Sequence, residues 1–325
     1  MKITVLGAGS WGSAISKVLS LNGHDVRVWT REEKIYNAFL NGENPYYLPG
    51  ITLPRTIKPF LEIDKSIEGS EVIVNAIPAQ FTRSVMKQVG DIGKKLFINL
   101  AKGIEIESGM LINQIFFQET KSEFYCTLSG PSHAEEVARD IPTTVVACSK
   151  NVSTAEFVQK IFSNASFRVY TNSDVSGVEM CGALKNIYAI ACGIIDGFGT
   201  WDNSKAALIT RSMVELARYG ENNGAKKDTF FGLAGIGDMI VTCTSLHSRN
   251  RHVGEMIGKG KSLNEIIESM NQVAEGVYTS KALHRILKEK YTEMPIAEKI
   301  YSILYESYDP KKAISDLMNR ELKAE

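Results

Sequence analysis

The sequence predicts an α/β fold: a doubly wound, mainly parallel sheet over residues 1–175, followed by an all-helical domain over residues 176–325. In the first half, short β-branched runs alternate with helical stretches, which implies crossover connections between parallel strands. From about residue 175 the apolar residues follow a helical spacing and strand signals disappear. A chain of 325 residues is long enough for two such domains.

Seven apolar, β-branched runs predict the strands in chain order, at residues 3–6, 26–29, 72–77, 96–100, 124–128, 143–147 and 167–170. Residues 11–21 predict the first helix, which Asn22 and Gly23 would end. Helices of the second domain are predicted at 178–195, 204–219, 263–270 and 279–288. Residues 41–54, rich in Asn, Pro, Gly and Tyr, predict a surface loop.

The composition argues against several classes of protein. Lys plus Arg and Asp plus Glu both number 37, so no global field favours nucleic acid or a membrane surface. Five cysteines without C-x-x-C spacing indicate neither a disulfide framework nor a metal site. A glycine loop at residue 7 leaves no room for a signal peptide, and the longest apolar run, 187–195, is far short of the ~20 residues that cross a bilayer. We expect a cytoplasmic protein without metal, nucleic acid partner or membrane span.

Gly7, Gly9 and Gly12 form a G-x-G-x-x-G loop between the first predicted strand and the first predicted helix. The first glycine permits a tight turn, the second lets backbone approach a pyrophosphate, and the third lets helix and sheet pack closely. The pattern is specific for dinucleotide binding only when it directly follows a strand and begins a helix, as it does here, so the loop predicts a bound dinucleotide. A purely structural turn is the alternative.

The end of the second predicted strand bears on which dinucleotide binds. NAD sites usually carry Asp or Glu there to bind the ribose 2′-hydroxyl, whereas this chain has Thr30 and Arg31. Since Arg31 can pair with a 2′-phosphate, NADP is favoured over NAD. Glu32 and Glu33 keep NAD open, and a solvated loop charge is the alternative interpretation of Arg31.

Lys185 is the only charged residue between Glu179 and Asp196 in an otherwise apolar predicted helix. Such a helix must be largely buried, and burial lowers the pKa of a lysine. A lysine near neutrality can act as general base for an alcohol proton, and Asn186 could orient the substrate hydroxyl. The alternative is a lysine that reaches solvent or pairs structurally.

Two later segments carry candidate ligand-binding groups, and the second of them predicts an anion site. Two glycines precede Asp238, which suggests a tight turn that delivers this acid into a cleft. Ser248, Arg249 and Asn250 combine a bidentate donor for phosphate or carboxylate with neutral donors. A helix start on a solvated face is the alternative for that segment.

Two further positions stand at predicted element ends. Ser132 and Glu135 predict a capping box at a helix start, and capping explains most of that segment without a ligand. Lys102 follows a strand end, where ligands bind in open α/β sheets.

Together these motifs resemble the bacterial NAD(P)-dependent glycerol-3-phosphate dehydrogenases over essentially the whole chain. The matching segments occur in the same order: GAGSWG at 7–12, NPYYLPG at 44–50, IPAQ at 77–80, AKGIE at 101–105, SGPSHAEEVA at 129–138, ALKN at 183–186, NSKAALITR at 203–211, LAGIGDMIVTCTS at 233–245, SRNR at 248–251, VAEGV at 273–277 and MPI at 294–296. The resemblance implies a Rossmann-type domain and a helical domain similar to the C-terminal domain of 6-phosphogluconate dehydrogenase. It also implies a homodimer that interconverts sn-glycerol 3-phosphate and dihydroxyacetone phosphate with NAD(P), mainly to supply phospholipid synthesis.

The resemblance implies roles for individual residues. Lys185 matches the proton acceptor, Lys102 a residue that touches cofactor and substrate, and Asp238 a residue of the substrate pocket. We expect Asp238 to polarise Lys185 or to bind a substrate hydroxyl. The further cofactor contacts would be Ser10, Trp11, Arg31, Tyr47, Ala134, Arg249, Val273 and Glu275. The further substrate contacts would be Gly130, Ser132, Ser248, Arg249 and Asn250, to which the position of Asn186 beside Lys185 adds a further candidate.

Two local departures from the family pattern are visible. The segment 77–80 reads IPAQ where VPSQ is common, and Glu32 stands where relatives often carry a base, which leaves the cofactor preference open. Two other classes of protein remain alternatives: another two-domain β-hydroxyacid dehydrogenase that acts on carboxylates, and an NADP-sensing protein without catalysis.

Overall fold

The computed structural model describes residues 1–199, 201–270 and 274–322. Its strands are β1 (Lys2–Leu6), β2 (Asp25–Trp29), β3 (Lys58–Phe60), β4 (Val72–Asn75), β5 (Leu96–Asn99), β6 (Tyr125–Ser129), β7 (Thr143–Cys148) and β8 (Phe167–Asn172). They form one sheet in the order β3-β2-β1-β4-β5-β6-β7-β8, and every neighbouring pair is parallel except β6 and β7.

Helices connect the strands and then continue alone. Those of the sheet region are α1 (Ser10–Leu21), α2 (Glu33–Leu40), α3 (Ile63–Ile67), α4 (Ala79–Val89), α5 (Ile112–Glu119), α6 (Ala134–Val137) and α7 (Val152–Phe162). Those that follow are α8 (Val175–Phe198), α9 (Asp202–Asn222), α10 (Lys227–Phe230), α11 (Asp238–Thr244), α12 (Arg249–Gly258), α13 (Leu263–Glu268), α14 (Glu275–Glu289), α15 (Pro295–Tyr305) and α16 (Pro310–Met318). A π-helical turn, Leu233–Gly237, precedes α11.

The predicted doubly wound, mainly parallel sheet is confirmed. Ile3 and Val5 of β1 belong to the apolar cluster with α1, while Leu6 belongs to a second cluster with α4. All seven predicted runs contain strands. The edge strand β3 carries no sequence signal, because it has only three residues and includes Pro59, which cannot donate to a ladder.

Helix α8 is the centre of the helical part. Among the described residues it is the unbroken helix with the length and apolar composition to cross a membrane, and its most apolar stretch is entirely buried inside the protein. A Cβ at Gly193 would lie 1.9 Å from the carbonyl oxygen of Arg251, and one at Gly254 would lie 1.9 Å from that of Ile190. These glycines therefore let α12 approach α8 at backbone distance, which brings the N-terminus of α12 beside Lys185.

The predicted surface loop at 41–54 is only partly exposed. Its Asn44 is buried and donates hydrogen bonds to the carbonyl oxygen of Ala8 and the hydroxyl of Ser13, both at 2.9 Å. Ser10 Oγ in turn donates to the carbonyl oxygen of Tyr47 at 2.6 Å. The surface assignment was wrong for Asn44, because a side-chain amide can satisfy the backbone of the glycine loop and be buried with it.

Candidate active site

A cleft of about 480 Å³ lies between the carboxyl ends of the strands and helices α8, α12 and α14. Ligands of open α/β sheets bind at this edge. The predicted residues that line it are Gly7, Gly9, Ser10, Trp11, Arg31, Tyr47, Lys102, Ser132, Ala134, Lys185, Asn186, Ser248, Arg249, Asn250 and Glu275. Gly12, Gly130 and Asp238 each contact a residue of this lining, and Val273 lies outside the described residues.

The glycine loop fits a dinucleotide. Gly7 has a φ of +102°, and a Cβ on Gly12 would lie 2.0 Å from the carbonyl oxygen of Gly7, so the fold itself requires both residues. Gly9 differs, because it has an ordinary φ of −72° and its Cβ would meet no protein atom within 4 Å. The protein leaves the space above Gly9 open, at the point where a pyrophosphate would approach the start of α1.

Glu275 offers a second sign of fit. Its Oε1 accepts a hydrogen bond from the backbone N–H of Ala79 at 3.1 Å, whereas the buried Oε2 has no partner. Burial raises the pKa of this carboxyl to about 7. This oxygen can accept a hydrogen bond from a ligand in the cleft, such as from a ribose hydroxyl or from the carboxamide N–H of a nicotinamide.

Four side chains form a cluster deep in the cleft. Lys185 Nζ donates to Asp238 Oδ1 at 2.5 Å and to Thr242 Oγ1 at 2.6 Å. Lys102 Nζ donates to the other carboxylate oxygen of Asp238 at 2.7 Å and to the carbonyl oxygen of Gly130 at 3.0 Å. One carboxylate is thus shared by two ammonium groups, with a net positive charge.

The electrostatics of this cluster suit proton transfer. Burial lowers the pKa of Lys185 to about 8, although Asp238 opposes the shift. For Asp238 burial acts in the opposite sense, yet Lys102 and Lys185 lower its pKa below the ordinary value. Asp238 therefore stays ionised at neutral pH, while Lys185 can give up or take a proton near pH 8.

Thr242 was missed from the sequence, although one signal for it exists. It follows Asp238 by four residues on α11, so both side chains lie on one face of that helix. The π-helical turn before α11 places Asp238 at the first residue of the helix, where it is 1% exposed. The turn expected from the two glycines is thus a widened helical turn.

Lys102 is held in place by the loop that carries it. Gln80 of α4 brackets this loop, since its Nε2 donates to the carbonyl oxygen of Ile104 at 2.7 Å and its Oε1 accepts from the N–H of Ile106 at 3.0 Å. One turn later, Arg83 forms a bidentate ion pair with Glu105. The start of α4, with the IPAQ segment, and the loop with the AKGIE segment are therefore joined by hydrogen bonds and an ion pair.

A buried polar network links the sheet edge to α8. Glu179, six residues before Lys185 on α8, accepts hydrogen bonds from the hydroxyl of Tyr125, from Asn99 Nδ2 and from the N–H of Asn113. Burial raises the pKa of Glu179 to about 7, and its three donors oppose that shift. This network fixes α8 against β5 and β6, and with it the height of Lys185 in the cleft.

The start of α12 forms the far end of the cleft. Ser248 caps the helix by accepting from the N–H of Arg251 at 3.2 Å, and Arg249 lines the cleft, where the carboxyl of Glu275 acts on its charge. Asn250 Nδ2 donates to Asn186 Oδ1 at 2.9 Å, and its Oδ1 accepts from the N–H of Gly276 at 2.8 Å. Asn186 and Asn250 are therefore fixed by each other.

The capping box predicted for Ser132 and Glu135 is wrong. Helix α6 begins at Ala134, and its N-cap is His133, which makes no side-chain capping bond. Ser132 Oγ instead donates to the carbonyl oxygen of Gly130 at 2.8 Å, within the turn that follows β6.

Among the described residues, no group of three His, Cys, Asp or Glu side chains could hold a metal ion.

A dinucleotide loop that faces a buried lysine–aspartate–lysine cluster across one cleft defines a two-domain nicotinamide-dependent dehydrogenase. Comparison with known proteins narrows this class. The family models for the NAD-dependent glycerol-3-phosphate dehydrogenase N-terminus and C-terminus match residues 2–155 and 174–315. The chain belongs to the NAD-dependent glycerol-3-phosphate dehydrogenase family.

Individual relatives agree with this assignment. A glycerol-3-phosphate dehydrogenase [NAD(P)+] of Listeria monocytogenes is 47% identical, with all of this chain and 98% of the relative covered. One of Bacillus pumilus is 48% identical over 98% of this chain and 94% of its own. The crystal structure of glycerol-3-phosphate dehydrogenase from Coxiella burnetii superposes with a TM-score of 0.94 at 35% identity, covering 98% of this chain and 99% of that one.

Proposed function

We propose that the chain interconverts sn-glycerol 3-phosphate and dihydroxyacetone phosphate with NADP or NAD as cofactor. The observation that carries this proposal is the buried Lys185, which shares Asp238 with Lys102 in a cleft that the glycine loop and the start of α12 also line. Membership of the family supports the same reaction. We assign the dinucleotide to residues 1–175 and the proton-transfer and phosphate groups mainly to residues 176–325.

Lys185 is the proton donor and acceptor of this reaction. During reduction, the C2 oxygen of the substrate gains negative charge and takes a proton from Lys185 Nζ; during oxidation, Lys185 takes that proton back. With a pKa of about 8, Lys185 is mostly protonated at pH 7, as reduction requires. When bound, the nicotinamide supplies or accepts the hydride at C2.

Asp238, Thr242 and Lys102 position the Lys185 ammonium. Asp238 and Thr242 each accept one of its N–H groups, which leaves one N–H for the substrate oxygen. Lys102 adds a second positive charge beside the developing alkoxide and neutralises the rest of Asp238.

The substrate phosphate binds at the start of α12. The first N–H groups of a helix have no acceptor within it, and its positive end favours anions. Arg249 adds a guanidinium at this point. Asn250 contributes chiefly by fixing Asn186, because its side-chain oxygen and one N–H are already bonded to protein. Holding the phosphate fixes C2 for the reaction.

We further propose a cytoplasmic homodimer that supplies glycerol 3-phosphate for phospholipid synthesis, as the family resemblance implies. Substrate comparison tests the central reaction. Purified protein is assayed with dihydroxyacetone phosphate and with small 2-keto acids, each with NADPH and NADH. The proposal is supported if dihydroxyacetone phosphate is reduced and the keto acids are not. Preference for a keto acid would indicate a β-hydroxyacid dehydrogenase, and no reduction of any substrate would favour a dinucleotide sensor.

A further inference from the structure

Two residues of opposite charge stand side by side where the adenosine ribose of a dinucleotide would lie. Arg31 and Glu32 are the second and third residues after β2, and both line the cleft. The guanidinium of Arg31 lies 5.7 Å from the ring centre of Phe81, on the α4 side of the cleft. A 2′-phosphate in this place would be attracted by Arg31 and repelled by a free Glu32 carboxylate.

The Glu32 carboxylate is held by two partners. The hydroxyl of Tyr47 donates to Oε1 at 2.8 Å, and Lys34 Nζ lies 3.3 Å from Oε2. The Lys34 ammonium also lies 4.9 Å from the ring centre of Tyr46. Tyr46 and Tyr47, adjacent in the loop 41–54, thus contact the two members of the Glu32–Lys34 ion pair, whereas Arg31 contacts Phe81.

Tyr47 is suited to this role. Burial raises the pKa of its hydroxyl and Glu32 raises it further, so the hydroxyl stays a donor. Its backbone is fixed too, because Ser10 Oγ donates to the Tyr47 carbonyl oxygen at 2.6 Å. The position of the Glu32 carboxylate is therefore tied to the glycine loop.

We propose that Tyr47 and Lys34 hold and neutralise the Glu32 carboxylate, so that Arg31 binds a 2′-phosphate and the chain prefers NADP to NAD. This inference rests on the proposed dinucleotide site and names the residues that set its specificity. The competing arrangement would have Glu32 accept the ribose 2′-hydroxyl, as acids at this strand end do in NAD-specific sites.

Binding measurements without substrate separate the two arrangements. The dissociation constants of NADP⁺ and NAD⁺ are measured by calorimetry for the unaltered protein and for Tyr47→Phe, Glu32→Gln and the double variant. Tyr47→Phe should reduce the preference for NADP⁺ by about fivefold, the upper range for an exposed charge interaction. Glu32→Gln should raise the preference, and the double variant should match Glu32→Gln alone. Arg31→Ala should abolish the preference.

Tyr46→Phe is the matched control, since it removes a neighbouring hydroxyl but keeps the ring beside Lys34; it should leave the preference unchanged. Three results would overturn the inference: tighter binding of NAD⁺ than NADP⁺ by the unaltered protein, selective loss of NAD⁺ affinity in Glu32→Gln, or an equal effect of Tyr47→Phe on both cofactors. Turnover of dihydroxyacetone phosphate is assayed separately. Its absence would refute the proposed reaction while the binding preference still tests this inference.

Discussion

Replacing Asp238 by Asn removes the carboxylate shared by Lys102 and Lys185 with little change of shape. Stranding a buried charge costs about 3–5 kcal/mol, but Lys185 can avoid this by losing its proton. The pKa of Lys185 is about 8 even with Asp238 beside it, and it falls further without that carboxylate, so deprotonation costs little near neutral pH. We therefore expect Asp238→Asn to fold, with a modest loss of stability.

Its catalysis should change far more. Asp238 raises the pKa of Lys185, so its removal lets burial and the charge of Lys102 lower that pKa further. Because reduction needs protonated Lys185, the rate is lost as pH rises through the pKa. In Asp238→Asn this loss should begin at least about one pH unit lower, which alone roughly halves the protonated fraction of Lys185 at pH 7. Loss of the hydrogen bond that positions the ammonium should bring the total loss of turnover at pH 7 to ~10²-fold.

The assay is the pH profile of kcat for reduction of dihydroxyacetone phosphate, combined with urea unfolding. Glu215→Gln is the control, since it alters another buried acid, one that binds the N–H groups of Ile296 and Ala297 outside the cleft. Glu215→Gln should lower the free energy of unfolding without shifting the pH profile of kcat. The reasoning is refuted if Asp238→Asn has the same pH profile and turnover as the unaltered protein.

Four further substitutions test the geometry. Gly9→Ala should weaken cofactor binding, measured by calorimetry, while the melting temperature stays unchanged. Gly12→Ala should lower the melting temperature, because its Cβ would collide with Gly7. Equal melting temperatures of the two variants would contradict this. Arg249→Ala should raise KM for dihydroxyacetone phosphate at least ~10-fold and also lower kcat, and an unchanged KM would remove it from the phosphate site. Glu179→Gln should lower the free energy of unfolding by about 1–3 kcal/mol, because its amide would face one of the three donors; an unchanged value would contradict the network.

The sheet could be predicted because its strands are buried runs of β-branched residues, and the glycine loop because strand, turn and helix follow one another directly. Lys185 could be singled out because a lone charge in an apolar helix demands an explanation. These signals are local in the chain. The strand β3 escaped prediction because an edge strand of three residues needs no apolar run.

The contacts that complete the site are not local. Lys102, Lys185 and Asp238 converge only because α8 crosses the carboxyl ends of β5 and β6, which no spacing along the chain reveals. Ser132 shows the opposite error, since a capping pattern was present but its hydroxyl found a nearer acceptor in Gly130. Asn44 was assigned to the surface by the composition of its loop, although its amide is buried against the glycine loop.

Turnover of dihydroxyacetone phosphate by Lys185→Ala tests the central claim most directly, when measured together with cofactor affinity. The removed group is buried and bonded to Asp238 and Thr242, so the dinucleotide loop should keep its structure. We predict that turnover falls by ~10²-fold or more while NADPH affinity is retained. Near-normal turnover in this variant would contradict the assignment of Lys185 as the proton donor.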